Sequence, residues 1–374
     1  MKLNINTTIV HYWFNGIRGG EKVVDAMLDL FPKKRLVSNI FTKNISLKIF
    51  NPYFKKATFI NSLPFSKSLY QYYLPLYPIA LRMINIKNCD LVISSESGPA
   101  KGIKVSSKIP HICYTHTPMR YIWDMRNEYF GNKMKRRLIN PMLNYLRNWD
   151  IESAGKVDYI IANSKFVRKR INTFWGRDAE VIYPPVDTQF GFLNSKVEDY
   201  FLLFGQHVKY KKSELAIRAF NQNGKKLIVM GTGEEIPYLK SIANDNISFL
   251  GRVNEKTKNN MLSSCRALIF PGVEDFGIIP VEAMSFGRPV IAYKKGGAEE
   301  TVVDGLSGLF FEKQSTSSLN TAVKNFIANE TSFNPENIKE HSFSFDKSKF
   351  LEKISDYIGF CYSDFHKIGI SKRR

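Results

Sequence analysis

The feature that most constrains this chain is residues 266–297, whose pattern predicts one strand–loop–helix–strand unit. Residues 267–270 form a short apolar run that ends in a Pro-Gly turn, as a buried strand does. Residues 278–286 predict a helix, because the proline lies in the first turn, where a missing N–H costs nothing, and a glycine follows the last residue. Residues 288–292 predict a second buried strand. The unit therefore indicates an α/β domain.

Polar groups lie where the first of these strands meets the helix. The free N–H groups of a first helical turn, near Gly277, can hold a phosphate in the field of the helix dipole. Glu274 lies in the preceding loop and can accept hydrogen bonds from sugar hydroxyls, whereas Glu282, inside the helix, could take a ribose diol. This chemistry suits a ligand that is both polyhydroxylated and phosphorylated. The spacing alone leaves open an ordinary βαβ unit with solvated acids.

Residues 271–311, PGVEDFGIIPVEAMSFGRPVIAYKKGGAEETVVDGLSGLFF, resemble the donor-site signature of the retaining nucleotide-sugar glycosyltransferases of glycosyltransferase family 4. That family has the GT-B fold, so the resemblance implies an α/β protein with two Rossmann-like domains facing a central cleft. We expect a basic, membrane-facing, acceptor-binding domain over 1–185 and a nucleotide-sugar-binding domain over 186–374. The resemblance also implies that the last helix, about 346–362, crosses back to the first domain.

The same resemblance assigns roles to residues by position. Glu274 corresponds to the first glutamate of the family's pair and is a catalytic candidate beside the donor sugar. Glu282 corresponds to the second and would bind the ribose. The diphosphate would contact the backbone of three residues, Phe276, Gly277 and Ile278.

A lysine and a departure from the family pattern occur near residue 206. The family usually has an arginine and, five positions on, a lysine, both of which reach the donor diphosphate. Lys211 matches the lysine, but Gln206 stands at the arginine position, which removes one charge from the phosphate site. Three nearby basic side chains could replace it: His207, Lys209 and Lys212. Arg252 is expected near the pocket for the base.

The first half of the chain contains a second group of candidates. Gly19 and Gly20 stand where a loop meets a predicted helix, as in the family loop that faces the donor diphosphate and the acceptor. His116 follows a short strand, and the ends of strands in open α/β sheets hold ligand groups. Residues 114–124, YTHTPMRYIWD, resemble a motif of family 4 enzymes that include bacterial O-antigen and capsule mannosyl- and rhamnosyltransferases. The resemblance makes His116 a catalytic candidate near the sugar.

Charge is concentrated in the same half. Of the net charge of +20, residues 1–190 contribute 29 Lys and Arg against 13 Asp and Glu. Residues 52–83 interleave aromatic residues with lysines, and 132–150 predict a basic amphipathic helix. These features suit an anionic membrane surface or nucleic-acid stacking, and a solvated face with packed aromatics remains open. We expect peripheral binding at the inner face of the cytoplasmic membrane.

Length, composition and cysteine spacing argue against a membrane-spanning, secreted or metal-binding protein. A chain of 374 residues with 44% hydrophobic content predicts two domains, and no stretch approaches the ~18–20 apolar residues of a membrane span. The N-terminus lacks the apolar region of a secretory signal, so we expect a cytoplasmic protein. The four cysteines lack metal-ligand spacing, and no Asp-x-Asp stands at a strand end, so we expect no metal and no cofactor.

Added to these features, the resemblance implies a retaining enzyme that moves a hexose, with mannose favoured, from GDP-mannose or another nucleotide sugar to a lipid-linked glycan in surface polysaccharide synthesis. A nicotinamide-dependent oxidoreductase would need G-x-G-x-x-G, which Gly16, Gly19 and Gly20 do not supply. A nucleic-acid-binding protein would explain the charge, but we expect no nucleic-acid partner. A salt-dependent gel shift separates that alternative from the enzyme.

Overall fold

The computed structural model describes residues 2–42, 45–126 and 133–371, without the side chains of 45–47, 133–136 and 368–371. The chain forms two compact units. The first comprises Met1–Pro185 and Ser348–Arg374, and the second comprises Val186–Lys347.

The first unit is built on a parallel sheet that has seven strands in the described part of the chain, in the order β3-β2-β1-β4-β5-β6-β7. The central strand β1 is buried at every residue, as expected for a parallel sheet covered on both faces. The strands are β1 Thr7–His11, β2 Lys34–Ser38, β3 Phe54–Ala57, β4 Leu91–Glu96, β5 His111–Thr115, β6 Tyr159–Ala162 and β7 Glu180–Val181. The α-helices described before residue 186 are α1 Gly19–Leu28, α2 Tyr77–Arg82, α3 Lys133–Gly155 and α4 Lys165–Trp175.

The second unit has a parallel sheet of six strands among its described residues, in the order β10-β9-β8-β11-β12-β13. Its strands are β8 Phe201–Phe204, β9 Leu227–Met230, β10 Ile247–Gly251, β11 Leu268–Phe270, β12 Val290–Tyr293 and β13 Gly308–Phe311. Its helices are α5 Ser213–Asn223, α6 Ile236–Ile242, α7 Glu255–Ser264, α8 Ile278–Ser285, α9 Ala298–Thr301, α10 Thr316–Ala328 and α11 Pro335–Ser342.

Both sheets reverse their strand order at one point, between β1 and β4 in the first unit and between β8 and β11 in the second. At such a switch point the loops after two adjacent strands diverge to opposite faces and leave a crevice at the carboxyl ends of the strands. Ligands of open α/β sheets bind in that crevice. The predicted strand–loop–helix–strand unit corresponds to β11, α8 and β12, so its loop follows one of the two switch-point strands. The two Rossmann-like sheets confirm the predicted fold class.

The last helix, α12 Lys347–Ser371, joins the first unit from Ser348 onward. Four buried side chains spaced three or four residues apart place one face of α12 in the core beside α1 and the sheet: Phe350, Ile354, Ile358 and Cys361. Apolar spacing of this kind buries a single helical face. Among the described helices, none is long and apolar enough to cross a membrane.

Candidate functional site

The switch point of the second unit contains a pocket formed by two loops. One loop follows β8 and supplies Gln206, His207 and Lys211, and the other follows β11 and supplies Gly272 and Glu274. Ile279, in the first turn of α8, completes this side of the pocket with the strand ends. The crevice expected at a switch point therefore contains four of the residues that the sequence analysis discussed: Gln206, His207, Lys211 and Glu274.

Lys211 and Glu274 form an ion pair between Nζ and Oε1 in this pocket. The side chains are partly buried, with 22% and 14% of their surfaces exposed, so the pair is screened less by salt than a surface pair is. The structure thus brings the predicted phosphate-binding cation into contact with the predicted catalytic acid. In this arrangement Glu274 partly neutralises Lys211, and a bound diphosphate would compete with it for the ammonium.

The loop after β11 leads directly into the N-terminus of α8. Gly277 caps this helix with φ of +92°, a conformation that favours glycine. The loop is held in place from the other side, because Glu274 forms a bridge with Gly296 and its carbonyl accepts a 2.8 Å hydrogen bond from the N–H of Gly297. The first-turn N–H groups of α8 lack intrahelical acceptors and are suited to an anion. Phe276 is buried beneath the loop, and Ile278 begins the helix.

His207 is not a replacement for the missing arginine charge. It is buried, and its Nε2 lies 3.1 Å from the carbonyl oxygen of Met230, so Nε2–H donates and Nδ1 accepts from the Ser213 hydroxyl at 2.9 Å. Burial lowers the pKa of His207, with a smaller effect of the Lys211 charge, and favours the neutral ring. Gln206 is exposed, as are Lys209 and Lys212, which remain the candidates to supply charge.

Two further predicted residues lie outside the lining of this pocket. Glu282, in α8, has 16% of its side chain exposed and lies 3.8 Å from Nζ of Lys258 on α7. Although burial lowers the pKa of the Lys258 ammonium, the carboxylates of Glu282 and Glu255 together raise it above its usual range. Arg252 is exposed after β10, the edge strand, two places from β8 in the sheet. The structure does not bring Arg252 together with Lys211 and Glu274.

In the first unit, Tyr12 lies just after β1 and is close to two of the predicted residues, Gly20 and His116. Gly19 and Gly20 begin α1, and a Cβ on Gly20 would lie 2.6 Å from the hydroxyl of Tyr12, so a larger residue would require Tyr12 to move. His116 follows β5 and is half-buried. Its backbone N–H donates a hydrogen bond to the backbone carbonyl of Glu96. Burial, with a smaller effect of His11, lowers the pKa of His116 to about 3, so the ring is neutral at physiological pH.

The sequence analysis did not select the residues that contact His116. Nε2 of His116 lies 2.8 Å from Oγ of Ser95, and that oxygen also lies 3.0 Å from Nδ1 of His11. His11 lies at the end of β1, in the run TIVH, and Ser95 lies near the end of β4, in the run LVISSE. A polar residue at the end of an apolar strand was the sequence signal that could have identified both. Within the described residues, no group of three or more His, Cys, Asp or Glu side chains could hold a metal ion.

Two family models match the chain and together span most of it. Residues 17–190 match Glycosyltransferase Family 4, and residues 187–343 match Glycosyl transferases group 1. The chain is a glycosyltransferase that joins a Glycosyltransferase Family 4 domain to a Glycosyl transferases group 1 domain. The prediction of a hexosyltransferase of this type is thereby confirmed.

Several relatives of this glycosyltransferase are known. It is 27% identical over 321 residues to an uncharacterized glycosyltransferase of Methanocaldococcus jannaschii, covering 80% of this chain and 86% of the relative. It is 25% identical over 357 residues to the alpha-1,3/1,6-mannosyltransferase alg2 of Schizosaccharomyces pombe, covering 78% of this chain and 68% of that protein. The match to ALG2 of Kluyveromyces lactis is 31% identical but covers only 40% of this chain and 41% of that protein.

Solved structures agree on the fold of the glycosyltransferase. HepE of Anabaena in complex with UDP superposes with a TM-score of 0.71 at 16% identity, covering 96% of this chain and all of HepE. Sucrose-phosphate synthase of Thermosynechococcus elongatus superposes with a TM-score of 0.73 at 12% identity, covering 96% of this chain and all of the synthase. The glycosyltransferase therefore has the GT-B fold that the sequence predicted.

Proposed function

We propose that this glycosyltransferase moves a hexose, with mannose favoured, from a nucleotide sugar to a lipid-linked glycan in surface polysaccharide synthesis. The observation that supports it most is the switch-point pocket, where Lys211, Glu274 and the N-terminus of α8 adjoin one another. Cationic and N–H groups suit a diphosphate, and a carboxylate suits sugar hydroxyls. The likeness to ALG2 mannosyltransferases favours GDP-mannose as the donor.

In the proposed reaction the bond between C1 of the sugar and the phosphate oxygen breaks, and a bond from C1 to the acceptor oxygen forms on the same face. The acceptor hydroxyl gives its proton to the departing phosphate, so no protein nucleophile is required. Lys211 and the first turn of α8 stabilise the charge that grows on the leaving diphosphate. Glu274 then orients the sugar, Glu282 the ribose, and His116 a hydroxyl near the sugar.

The donor is tested by thermal shift with GDP-mannose and with UDP, dTDP and ADP sugars. At 100 times its dissociation constant, the true donor stabilises the fold by ~2.7 kcal/mol. We expect the largest shift with GDP-mannose and a smaller one for the same sugar with Lys211→Ala. A larger shift with another base would reassign the donor, and no shift with any nucleotide sugar would contradict the pocket assignment.

We also propose that transfer needs no divalent metal, because Lys211 and the α8 N-terminus supply positive charge at the leaving group. Turnover with the donor found in the screen should persist in excess EDTA. Loss of turnover in EDTA with recovery on adding Mg²⁺ or Mn²⁺ would overturn this part of the proposal.

We further propose that the first unit docks on the inner face of the cytoplasmic membrane, where it meets a lipid-linked acceptor. Ile79 on α2 and Met83 just after it are one turn apart and 53% and 66% exposed. Leu138 and Tyr145 on α3 are 77% and 47% exposed and share one helical face with Glu152, seven residues further on.

An ion pair connects these two exposed faces. Arg82, the last residue of α2, lies 3.7 Å from Glu152 of α3, so the end of α2 adjoins the helical face of α3 that also contains Tyr145 and Leu138. A basic residue near an anionic membrane surface contributes about 1 kcal/mol, so the basic sequence at the start of α3 would strengthen the docking. Arg137 of this group is exposed, and the side chains of Lys133, Lys135 and Arg136 lie outside the described residues.

The acceptor is tested with a radiolabelled donor and membranes from a strain that lacks the enzyme. Label that partitions into the lipid extract, and returns to water after mild acid cleavage of a diphosphate link, is the expected result. Label that is found only in a water-soluble glycan would assign a soluble acceptor instead.

A further inference from the structure

Four buried or half-buried side chains of the first unit form a continuous polar chain that ends at His116. Oε2 of Glu21 accepts a 2.9 Å hydrogen bond from the N–H of Arg18, and its Oε1 lies 3.5 Å from Nε2 of His11. Nδ1 of His11 lies 3.0 Å from Oγ of Ser95, and the same oxygen lies 2.8 Å from Nε2 of His116. His11 and Ser95 are fully buried and stand opposite each other across β1 and β4.

The Ser95 hydroxyl has one hydrogen and lies between two ring nitrogens. If it donates to one of them, the other nitrogen has to donate to the hydroxyl, and the hydroxyl oxygen can also accept from both. Two arrangements of His116 are therefore possible. In one, His116 donates through Nε2–H, while Ser95 either donates to His11 or accepts from it. In the other, His11 donates to Ser95 and Ser95 donates to His116, which then has its hydrogen on Nδ1.

The carboxylate of Glu21 distinguishes the two arrangements. Its Oε1 is 3.5 Å from Nε2 of His11, a nitrogen that makes no hydrogen bond within normal limits. A lone pair on Nε2 would face negative charge in a buried site, whereas an N–H would be attracted, so His11 has its hydrogen on Nε2. With its hydrogen on Nε2, His11 accepts from Ser95 through Nδ1. The hydroxyl oxygen of Ser95 is left to accept from Nε2–H of His116.

We propose that His11 and Ser95 are positioning residues that hold His116 with its hydrogen on Nε2, which leaves Nδ1 to accept a hydrogen bond from a hydroxyl of the donor sugar or the acceptor. This rests on the proposed place of His116 beside the sugar. The aromatic neighbours restrict the ring further, since the ring centroids of Tyr12 and Tyr114 lie 6.2 and 5.2 Å from that of His116. His116 thus meets the substrate with a preset acceptor instead of a mixture of tautomers.

The tautomer is measured by NMR on protein labelled with 15N at its six histidines, with signals assigned from His11→Gln and His116→Gln. We expect His116 to show a protonated Nε2, whose hydrogen exchanges slowly with water, and an unprotonated Nδ1. Ser95→Ala should make that N–H exchange fast, and Ser95→Thr should restore the slow exchange. A hydrogen on Nδ1 in the wild type, or an unchanged signal in Ser95→Ala, would overturn the proposal.

The neighbouring residue on the same strand supplies a matched control. Ser94 and His111 are both buried, and Oγ of Ser94 lies 2.9 Å from Nε2 of His111. Because successive side chains of a strand point to opposite faces, this bond lies on the other side of the sheet. Ser94→Ala should change the signal of His111 and leave that of His116 as in the wild type.

If Ser95→Ala does not fold, His11→Phe replaces it as the test variant. Because Ser95 then no longer donates to His11, this variant should raise the fraction of His116 with its hydrogen on Nδ1.

Kinetics separate positioning from a general loss of structure. With the donor found in the thermal-shift screen, Ser95→Ala should lower kcat about tenfold, the effect of one hydrogen bond, and change KM for the donor little. In a His116→Ala background the same substitution should cost nothing more, because Ser95 acts through His116. A full tenfold loss in that background would assign Ser95 a merely structural role. Absence of sugar transfer by the wild type would refute the proposed function alone, since the NMR result still decides the tautomer.

Discussion

The ion pair between Lys211 and Glu274 gives the two residues opposite expected effects on nucleotide binding. Glu274→Gln should lose most turnover, because the carboxylate orients the sugar, yet bind free GDP as tightly as the wild type or more tightly, because Lys211 is no longer neutralised. Titration calorimetry with GDP and a turnover assay measure the two quantities separately. Glu312→Gln, in the exposed pair with Lys294, is the control and should change neither. Full activity of Glu274→Gln would remove this residue from the mechanism.

Lys211→Ala removes the cation of the same pair. It should weaken GDP binding by about 1.5–3 kcal/mol, the range for a charge-assisted hydrogen bond, since 22% of the side chain is exposed and some screening remains. Calorimetry checks this against Lys294→Ala, whose lysine is paired in the same way but lies at the surface. Equal affinities for the two variants would show that Lys211 does not contact the diphosphate.

Gln206 is exposed at the edge of the same pocket, and the neighbouring His207 is neutral, so the pocket lacks the second cation of the family pattern. Gln206→Arg should therefore strengthen GDP binding by about 1 kcal/mol, a modest gain because the new charge is solvated. The dissociation constant at low and moderate salt measures this, and the gain should shrink as salt rises. An unchanged affinity would mean that Lys209 or Lys212 already occupies the position.

At the scale of elements, the entry into α8 depends on the backbone of Gly277. A Cβ there would have no neighbour closer than 3.5 Å, so Gly277→Ala introduces strain from φ of +92° without a clash. We expect a loss of unfolding free energy of about 1–2 kcal/mol and weaker GDP binding, because the first-turn N–H groups shift. Gly224→Ala, at φ of +68° after α5, is the matched control. It should lose similar stability in urea denaturation and bind GDP normally.

Ser94 and Ser95 of β4 contact His111 on one face of the sheet and His116 on the other. We expect the titration of His111 to contribute to the pH dependence of the free energy of unfolding. Burial, with a smaller effect of the Lys101 charge, lowers the pKa of His111 from 6.5 to about 4. The native-state pKa is depressed, so this contribution is present above pH 6.5 and is lost as the pH falls toward 4, because only the unfolded chain takes up the proton. Urea denaturation should show a drop between pH 7 and pH 5 that is smaller in His111→Gln. Equal drops in both proteins would contradict the assignment.

At the scale of the whole molecule, the proposed membrane surface distinguishes the two units. Ile79→Ser with Met83→Ser should reduce binding to anionic vesicles about tenfold or more, because burial of two apolar side chains is lost, and should leave GDP affinity unchanged. Cosedimentation with anionic and neutral vesicles measures this. Leu250→Ser with Val303→Ser, two exposed apolar residues of the second unit, is the control and should bind like the wild type. Equal binding to both lipids, or none in low salt, would leave the basic half a solvated surface.

The sequence alone determined the class of the fold and the character of the donor loop. Apolar runs, turn glycines and a first-turn proline are local signals, so a helix predicted over 278–286 is found at Ile278–Ser285. The strand predicted over 288–292 is found at Val290–Tyr293 for the same reason. Local signals could not predict which of the candidate residues lie close together in the folded chain.

The tertiary structure determines which of these residues are in contact. Lys211 reaches Glu274 only because β11 inserts beside β8, and His11 reaches His116 only because β4 lies between β1 and β5. Strand order depends on how helices pack on both faces of each sheet, a property of the whole unit that no short run of residues records. Burial likewise decided that His207 is neutral, since the cost of desolvating a charge depends on surroundings that the chain acquires only on folding.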